Sequence, residues 1–458
     1  MRKLAVGRAH LAALVGAVTP SGLRRTAWKA IALLLTLLLA GGGAPSSLQL
    51  RAATIKAAAA LPDFSFAAWE LRAFVQMFGA GEQNRLNRLS EDEQVELVRA
   101  YMKRRQRIEE LEDELSQIVA LTLQDGTASQ AEPRRELAVL HGKQEARRPL
   151  VEAILERQVH AELIDAGLDM RGIVWPPVSF TFIEPPLKLT VSPRERIATV
   201  HSRVLQTDFD PVTLAERERA IEESSNLSAH ISRIGGMAVY PAIVVEQSSL
   251  AWVLSTIAHE WTHHYLFLFP LGLRYATNDE LTTINETVSD ILGDEIGERL
   301  ARRYYPEAVP QPPAGPGAAA EEDCACNTFE LWTNALKADQ QRWERPGRPS
   351  RFDFRREMRE TRLRVDDLLE AGLVETAEAY MEARRRFFVA QGYPLRVLNQ
   401  AYFAFYGNYA TGAASSSPIG PQLQRLRAES DDLAHFLTTV RWLTSVGDLE
   451  EALRPPEK

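Results

Sequence analysis

Apolar residues recur at helical spacing in the first third of the chain. Val95, Leu97, Val98, Tyr101, Ile108, Leu111, Leu115, Ile118 and Val119 are separated by charged residues. That recurrence lines one face of a helix, so residues 62–124 read as helices. A second helix follows the polar stretch QDGTASQAEPRRE and runs to about residue 166. The sustained charge describes a solvated helical hairpin, a stalk beside the rest of the chain. A partner-binding coiled coil is the sharper alternative. From residue 174 the pattern changes: VWPPVSFTFIEPPLKLTVSP carries short β-branched and aromatic runs between prolines, which predicts strands. A helix is expected from about Pro211 to Ser225, capped by Asp210. A strand follows over 235–246, GGMAVYPAIVVE, where the internal Pro241 would confine it to a sheet edge. One helix then begins near Ser248 or Ser249 and another runs from about Asn278 to Tyr304. Beyond a Pro-, Ala- and Gly-rich stretch at 306–323, helices are expected at roughly 327–342, 352–370, 374–391, 394–411 and 421–441.

The pattern predicts an α+β protein that is mostly helical. Its expected parts are a basic N-terminus with a signal or anchor segment (1–44), a helical stalk or hairpin (45–170), a strand-containing core (171–305), a loop and connecting helix (306–350), and a C-terminal helical domain (351–458). With 45% hydrophobic and 25% charged residues the chain is globular in composition. A net charge of −8 and the absence of a basic stripe exclude the usual nucleic-acid footprint. The two cysteines, Cys324 and Cys326, are separated by one residue, too close for a relaxed disulfide and too few for a metal site, so they read as loop cysteines.

The N-terminus changes the picture. Arg2, Lys3, Arg8, Arg24, Arg25 and Lys29 precede the apolar run AIALLLTLLLA, and GGGAPSS follows it. Basic residues, a short apolar core and then small residues describe a secretory signal or a signal-anchor. Cleavage after Ala44 would leave Pro45 first, which favours a retained anchor; a buried N-terminal helix is the remaining alternative. Either export reading puts the body outside, as a single-pass protein of the cell membrane or a secreted one.

Chemistry concentrates in TIAHEWTHHYLFLF, residues 256–269, an apolar helix with polar groups at its centre. His259 and His263 are four apart and share one helix face, a spacing that lets two imidazoles meet one zinc ion. Glu260 lies beside them, able to reach a water without being a ligand, which completes an H-E-x-x-H arrangement. Chance alone would produce it in a chain like this about 1–2% of the time. Core histidines bonded to backbone carbonyls are the competing explanation. His264 reads as a hydrogen-bonded neighbour rather than a ligand. Glu286 follows His263 by 23 residues, on a helix able to pack beside the first, and Asp290 lies one turn further along the same face. A carboxylate there could hold the second N–H of a ligating imidazole.

HEWTH followed by NETVSD resembles the gluzincin metallopeptidases, the group of thermolysin and the membrane-associated aminopeptidases, over about residues 235–300. The resemblance implies a zincin-like core, with a small mixed sheet, an edge strand and two zinc-site helices, flanked by helical regions. It implies Zn2+ held by His259, His263 and Glu286, with Glu260 as general base and Asp290 orienting a ligand. GGMAVYP resembles the G-x-M-E-N strand of the aminopeptidases, which would place substrate main chain on Gly236, Met237 and Ala238. Ala238 stands where those enzymes carry the Glu that grips a free α-amine, so an aminopeptidase would need Glu246 or another carboxylate instead. In this group a Tyr or His stabilises the oxyanion. Tyr275 lies between the two helices, while Tyr402, Tyr406 and Tyr409 fall near one stripe of a later helix, and Tyr406 is the expected donor among them. Tyrosines packed in a helical core would give the same pattern. The expectation is an exported or membrane-anchored zinc metallopeptidase acting on a peptide or protein substrate. The alternative is a non-catalytic zinc-site scaffold whose helices bind a partner, although such a scaffold has no need of Glu260.

Overall fold

A computed structural model describes residues 55, 59–65, 69, 81–125, 131–207, 209–309 and 352–454. The signal or anchor segment, both cysteines and the helix expected at 327–342 lie outside the described residues. Among the described residues, no helix is long and apolar enough to cross a membrane.

The protein is mostly helical with small sheets, an α+β architecture. After a short helix α1 (Gly81–Leu86), α2 (Glu91–Asp125) and α3 (Ala131–Asp165) form the expected hairpin. The start of α2 is set by a reciprocal cap, in which Ser90 N donates to Glu93 Oε2 (2.8 Å) and Glu93 N donates to Ser90 Oγ (3.3 Å). The later turns of α3 bury Leu150, Val151, Ile154, Leu155, Val159 and Leu163 in the main core.

The strands make two sheets. In the first, β1 (Phe180–Phe182) runs parallel to β6 (Ala242–Val244), and β5 (Gly236–Met237) pairs antiparallel on the far side of β6. The single strand expected over 235–246 is therefore two strands joined by a turn. Pro241, which has no N–H to donate, sits in that turn next to a cis Tyr240–Pro241 bond. It could not sit inside β6, whose two sides are both paired. The other edge of β1 is closed by side chains. Glu156 Oε1 accepts from Phe180 N (2.9 Å), and Glu152 Oε1 accepts from Phe182 N (2.7 Å) and Thr181 Oγ1 (3.0 Å). Strand residues two apart are about 6.6 Å distant, and helix residues four apart about 6 Å, so one face of α3 matches the strand repeat.

In the second sheet, β2 (Leu187–Pro193) lies between β3 (His201–Leu205) and β4 (Leu227–Arg233), all antiparallel. Helix α4 (Pro211–Ser225) packs on it; Asp210 caps the start as expected, and the left-handed Asn226 ends it.

The central helices are α5 (Leu250–Leu266), capped by Ser249, and α7 (Asp279–Tyr304), capped by Asn278, with the short α6 (Pro270–Leu273) between them. Their close approach depends on two glycines. A Cβ on Gly293 would fall 2.7 Å from the Ser255 carbonyl oxygen and 3.0 Å from His259 Cβ, and one on Gly297 would fall 2.9 Å from Ser255 Cα. Neither position has room for a side chain.

At the C-terminal end, α8 (Phe354–Glu370) and α9 (Val374–Gln391) pair much as expected. The helix expected at 394–411 shortens to α10 (Gln400–Tyr406), because Asn399 caps its start and a Gly- and Ser-rich stretch begins at Gly407. The helix expected at 421–441 is two, α11 (Ile419–Glu429) and α12 (Leu433–Val440), divided where Asp432 caps the second; α13 (Val446–Ala452) was not expected. Helices α11 to α13 share one core with α3, α5 and α7, whereas α8 to α10 form a second.

Candidate metal centre

His259 and His263 project from one face of α5, and α7 brings Glu286 opposite them. The two Nε2 atoms are 3.0 Å apart, and each lies 3.6 Å from Glu286 Oε2. All three lie within 4.8 Å of one another, a group able to hold a metal ion. Two ligands on a tetrahedral zinc stand about 3.3–3.5 Å apart, given bond lengths of about 2.0–2.2 Å. The observed separations fit an ion of that size.

The outer ring nitrogens face acceptors. His263 Nδ1 is 2.7 Å from Asn285 Oδ1, and His259 Nδ1 is 3.2 Å from Asp290 Oδ1. A proton on each Nδ1 directs the Nε2 lone pairs at the common point. Ser289 Oγ lies 3.3 Å from His263 Nδ1 as well. Burial works against charge on His259, but the Asp290 and Glu286 carboxylates outweigh it and raise its pKa well above the usual value. Burial also opposes ionisation of Glu286, yet His263 and His259 hold that carboxyl well below its ordinary range. Positive charge is thus strongly favoured here, whether carried by a proton or by a cation.

Glu260 turns towards β5. A Cβ on Gly236 would lie 2.1 Å from Glu260 Oε1 and 2.8 Å from its carboxyl carbon, so the carboxylate occupies the space that a side chain there would take. Burial pushes the Glu260 pKa up. A carboxylate so placed is readier to accept a proton than an exposed one.

Two tyrosines stand at the cluster. Tyr275 donates its hydroxyl to Glu286 Oε1, leaving Oε2 for the imidazoles, and its ring meets His263 edge-on at 5.9 Å. Tyr409 reaches the same field; burial and then the Glu286 charge raise its hydroxyl pKa well above the usual value. The loop that carries it is seated on α7, where Ala410 N donates to Thr287 Oγ1 (3.1 Å). Because α10 ends at Tyr406, Tyr409 leaves the stripe expected for it. Tyr406 itself packs on Tyr402 (4.5 Å between centroids), Phe405 (4.8 Å) and His230 (5.9 Å).

Gly236 and Met237 form β5, and exposed Ala238 follows in the turn. Glu246 is engaged elsewhere, accepting from Gln144 (2.6 Å) and lying 3.5 Å from Arg148, both on α3. His264 is the hydrogen-bonded neighbour the sequence suggests: its Nε2 lies 2.7 Å from the Val239 carbonyl, and burial pushes its pKa down to about 4. The residues that the sequence reading missed are Asn285, Ser289 and Gly293; Tyr409 was among its candidates, behind Tyr406. The first two had a signal, the run of polar residues around Glu286; Gly293 depends on how α7 meets α5.

Compared with known proteins, the chain matches no family model, no curated protein and no solved structure. The functional case therefore rests on the side-chain arrangement.

Proposed function

We propose that this protein is a zinc-dependent metallopeptidase with a zincin-like core, exported or membrane-anchored through its N-terminal segment. The observation that carries the reading is the convergence of His259, His263 and Glu286, with the Glu260 carboxylate beside them on an edge strand. His and carboxylate ligands, and separations near those of a tetrahedron, suit zinc. When bound, zinc supplies Lewis acidity and a water acidic enough to ionise near neutral pH.

The chain's own groups account for the rest of the chemistry. Glu260 accepts the proton of the attacking water and returns one to the leaving nitrogen, a transfer that its raised pKa favours. Asp290 and Asn285 hold the imidazoles in the ligating tautomer. The outer edge of β5 offers main-chain groups to an extended peptide across Gly236, Met237 and Ala238. Tyr409, which lies close enough to feel the Glu286 charge, is a better candidate than Tyr406 as a donor to a developing oxyanion, whereas the single hydroxyl proton of Tyr275 is already given to Glu286. The engagement of Glu246 by α3 takes that carboxylate out of the amine-gripping role, so removal of a first residue would need another.

The test is metal content and peptide cleavage by the full chain. The parent should hold about one zinc, and Glu286→Gln should lose it. A parent that binds no zinc when supplied with it overturns the reading. A parent that binds zinc but cleaves nothing in a peptide library supports the scaffold instead.

A further inference from the structure

Helix α5 carries a second stripe beside the metal ligands. Glu260 and His264 are four apart, as His259 and His263 are, and so share the adjacent face. Both members of this stripe meet the β5 segment. Glu260 lies against Gly236 at its start. His264 Nε2 lies 2.7 Å from the Val239 carbonyl beyond its end, and the ring meets Tyr240 at 5.4 Å between centroids. A carbonyl can only accept, so Nε2 carries the proton. The other nitrogen, Nδ1, is buried without a partner. The strand itself is short: β5 has two ladder positions, Gly236 with Val244 and Met237 with Ile243, and Val245 N donates to the Gly235 carbonyl just before it at 2.9 Å. Beyond it, Val239 N turns back to the Met237 carbonyl at 2.8 Å and the Tyr240 hydroxyl donates to the Pro177 carbonyl at 3.3 Å.

We propose that His264 is a positioning residue that sets the edge strand, and through it the substrate main chain, in register with the metal ligands. The substrate half of this rests on the metallopeptidase reading; the clamp on the strand does not. The stripe would then divide its work, with Glu260 acting on the proton and His264 holding the strand that presents the scissile bond.

The experiment compares the full-length parent with His264→Phe and His264→Asn. The Phe variant keeps a ring and loses the donor, while the Asn amide can still reach a carbonyl. Metal content, kcat and KM on a cleaved library peptide, and hydrogen exchange over residues 236–241 are measured for each. Loss of one buried hydrogen bond should raise KM about tenfold in the Phe variant, with kcat within about twofold and zinc retained. Exchange over 236–241 should quicken, and Asn should recover most of both effects. If the Phe variant does not fold, His264→Leu takes its place. Unchanged KM and exchange overturn the proposal, as does a loss of zinc equal to the loss of activity. If the parent cleaves no peptide, the metallopeptidase reading and the substrate half fail together, and exchange alone decides the clamp: faster in the Phe variant supports it, unchanged overturns it.

Discussion

The hairpin α2/α3 and the pair α5/α7 are both two long helices packed side by side, yet they treat polar residues in opposite ways. In the hairpin most charges face outward and pair at the surface, as Arg107 does with Glu136 at 3.0 Å. Such pairs contribute little, because water already solvates both partners. In α5/α7 the polar residues turn inward: Thr262, Asn285, Glu286, Thr287 and Ser289 are all buried. Each inward polar group must find a partner or destabilise the fold. Thr262 answers with its own helix, donating to the Ala258 carbonyl at 2.8 Å, whereas Asn285 answers across the interface to His263. His259, His263 and Glu286 turn their remaining polar atoms towards one another. The hairpin does the same thing at Glu152 and Glu156, where the inward carboxylates close the edge of β1, and at buried Gln158, which accepts from the Tyr305 hydroxyl at 2.7 Å.

The largest way to break the contrast is Glu260→Gln. The amide keeps the shape but cannot act as a base, so peptide cleavage should fall about 10²–10⁴-fold while zinc content stays unchanged. Equal cleavage by the variant would remove Glu260 from the chemistry. Next comes Asn285→Ala, which should weaken zinc binding about 10–100-fold in competition with a chelator, since it frees the His263 tautomer. An unchanged affinity would make Asn285 a packing residue only.

Gly293→Val sharpens the comparison between the helix pairs. It forces a side chain into the α5 backbone and should cost about 1–3 kcal/mol in urea unfolding. Val139→Ser on the hairpin, 53% exposed, should stay within about 0.5 kcal/mol. Equal effects would mean that the glycine contact is not tight.

The smallest expected effect is a slope with pH. Burial raises the carboxyl of Glu152 to about 8 and that of Glu156 to about 7. The folded chain therefore binds these protons more tightly than the unfolded one does. The resulting stability is fully present below the usual carboxyl value of 4.5 and is lost as pH rises through about 7 and 8. Glu156→Gln should flatten the decline over the lower part of that window, measured as urea midpoints from pH 5 to 8. A decline as steep as the parent's would show that Glu156 does not carry it.

Much of the site was legible before the fold was known. The spacing of His259 and His263 is a property of any α-helix, and the NETVSD run placed Glu286 and Asp290 a turn apart on the next one. Tyr409 was named but ranked behind Tyr406, because the end of the helix at Gly407, where a local stretch of small residues overrides the stripe, could not be read from the spacing. The break of the 235–246 strand was half visible in Pro241. What could not be read was that the chain turns back there, so that β6 rather than the Pro-containing segment became the middle strand.

Local rules of spacing, capping and turn chemistry therefore determined by themselves the helices that carry the cluster, the starts at Asp210, Ser249 and Asn278, and which side chains share a face. Only the tertiary structure decided which faces meet. Gly293 and Gly297 admit α5 close enough for His259, His263 and Glu286 to converge, Gly236 makes room for the Glu260 carboxylate, and the loop after α10 brings Tyr409 near Glu286. Each of these depends on distances between residues far apart in the chain, and a one-dimensional pattern holds no measure of those distances.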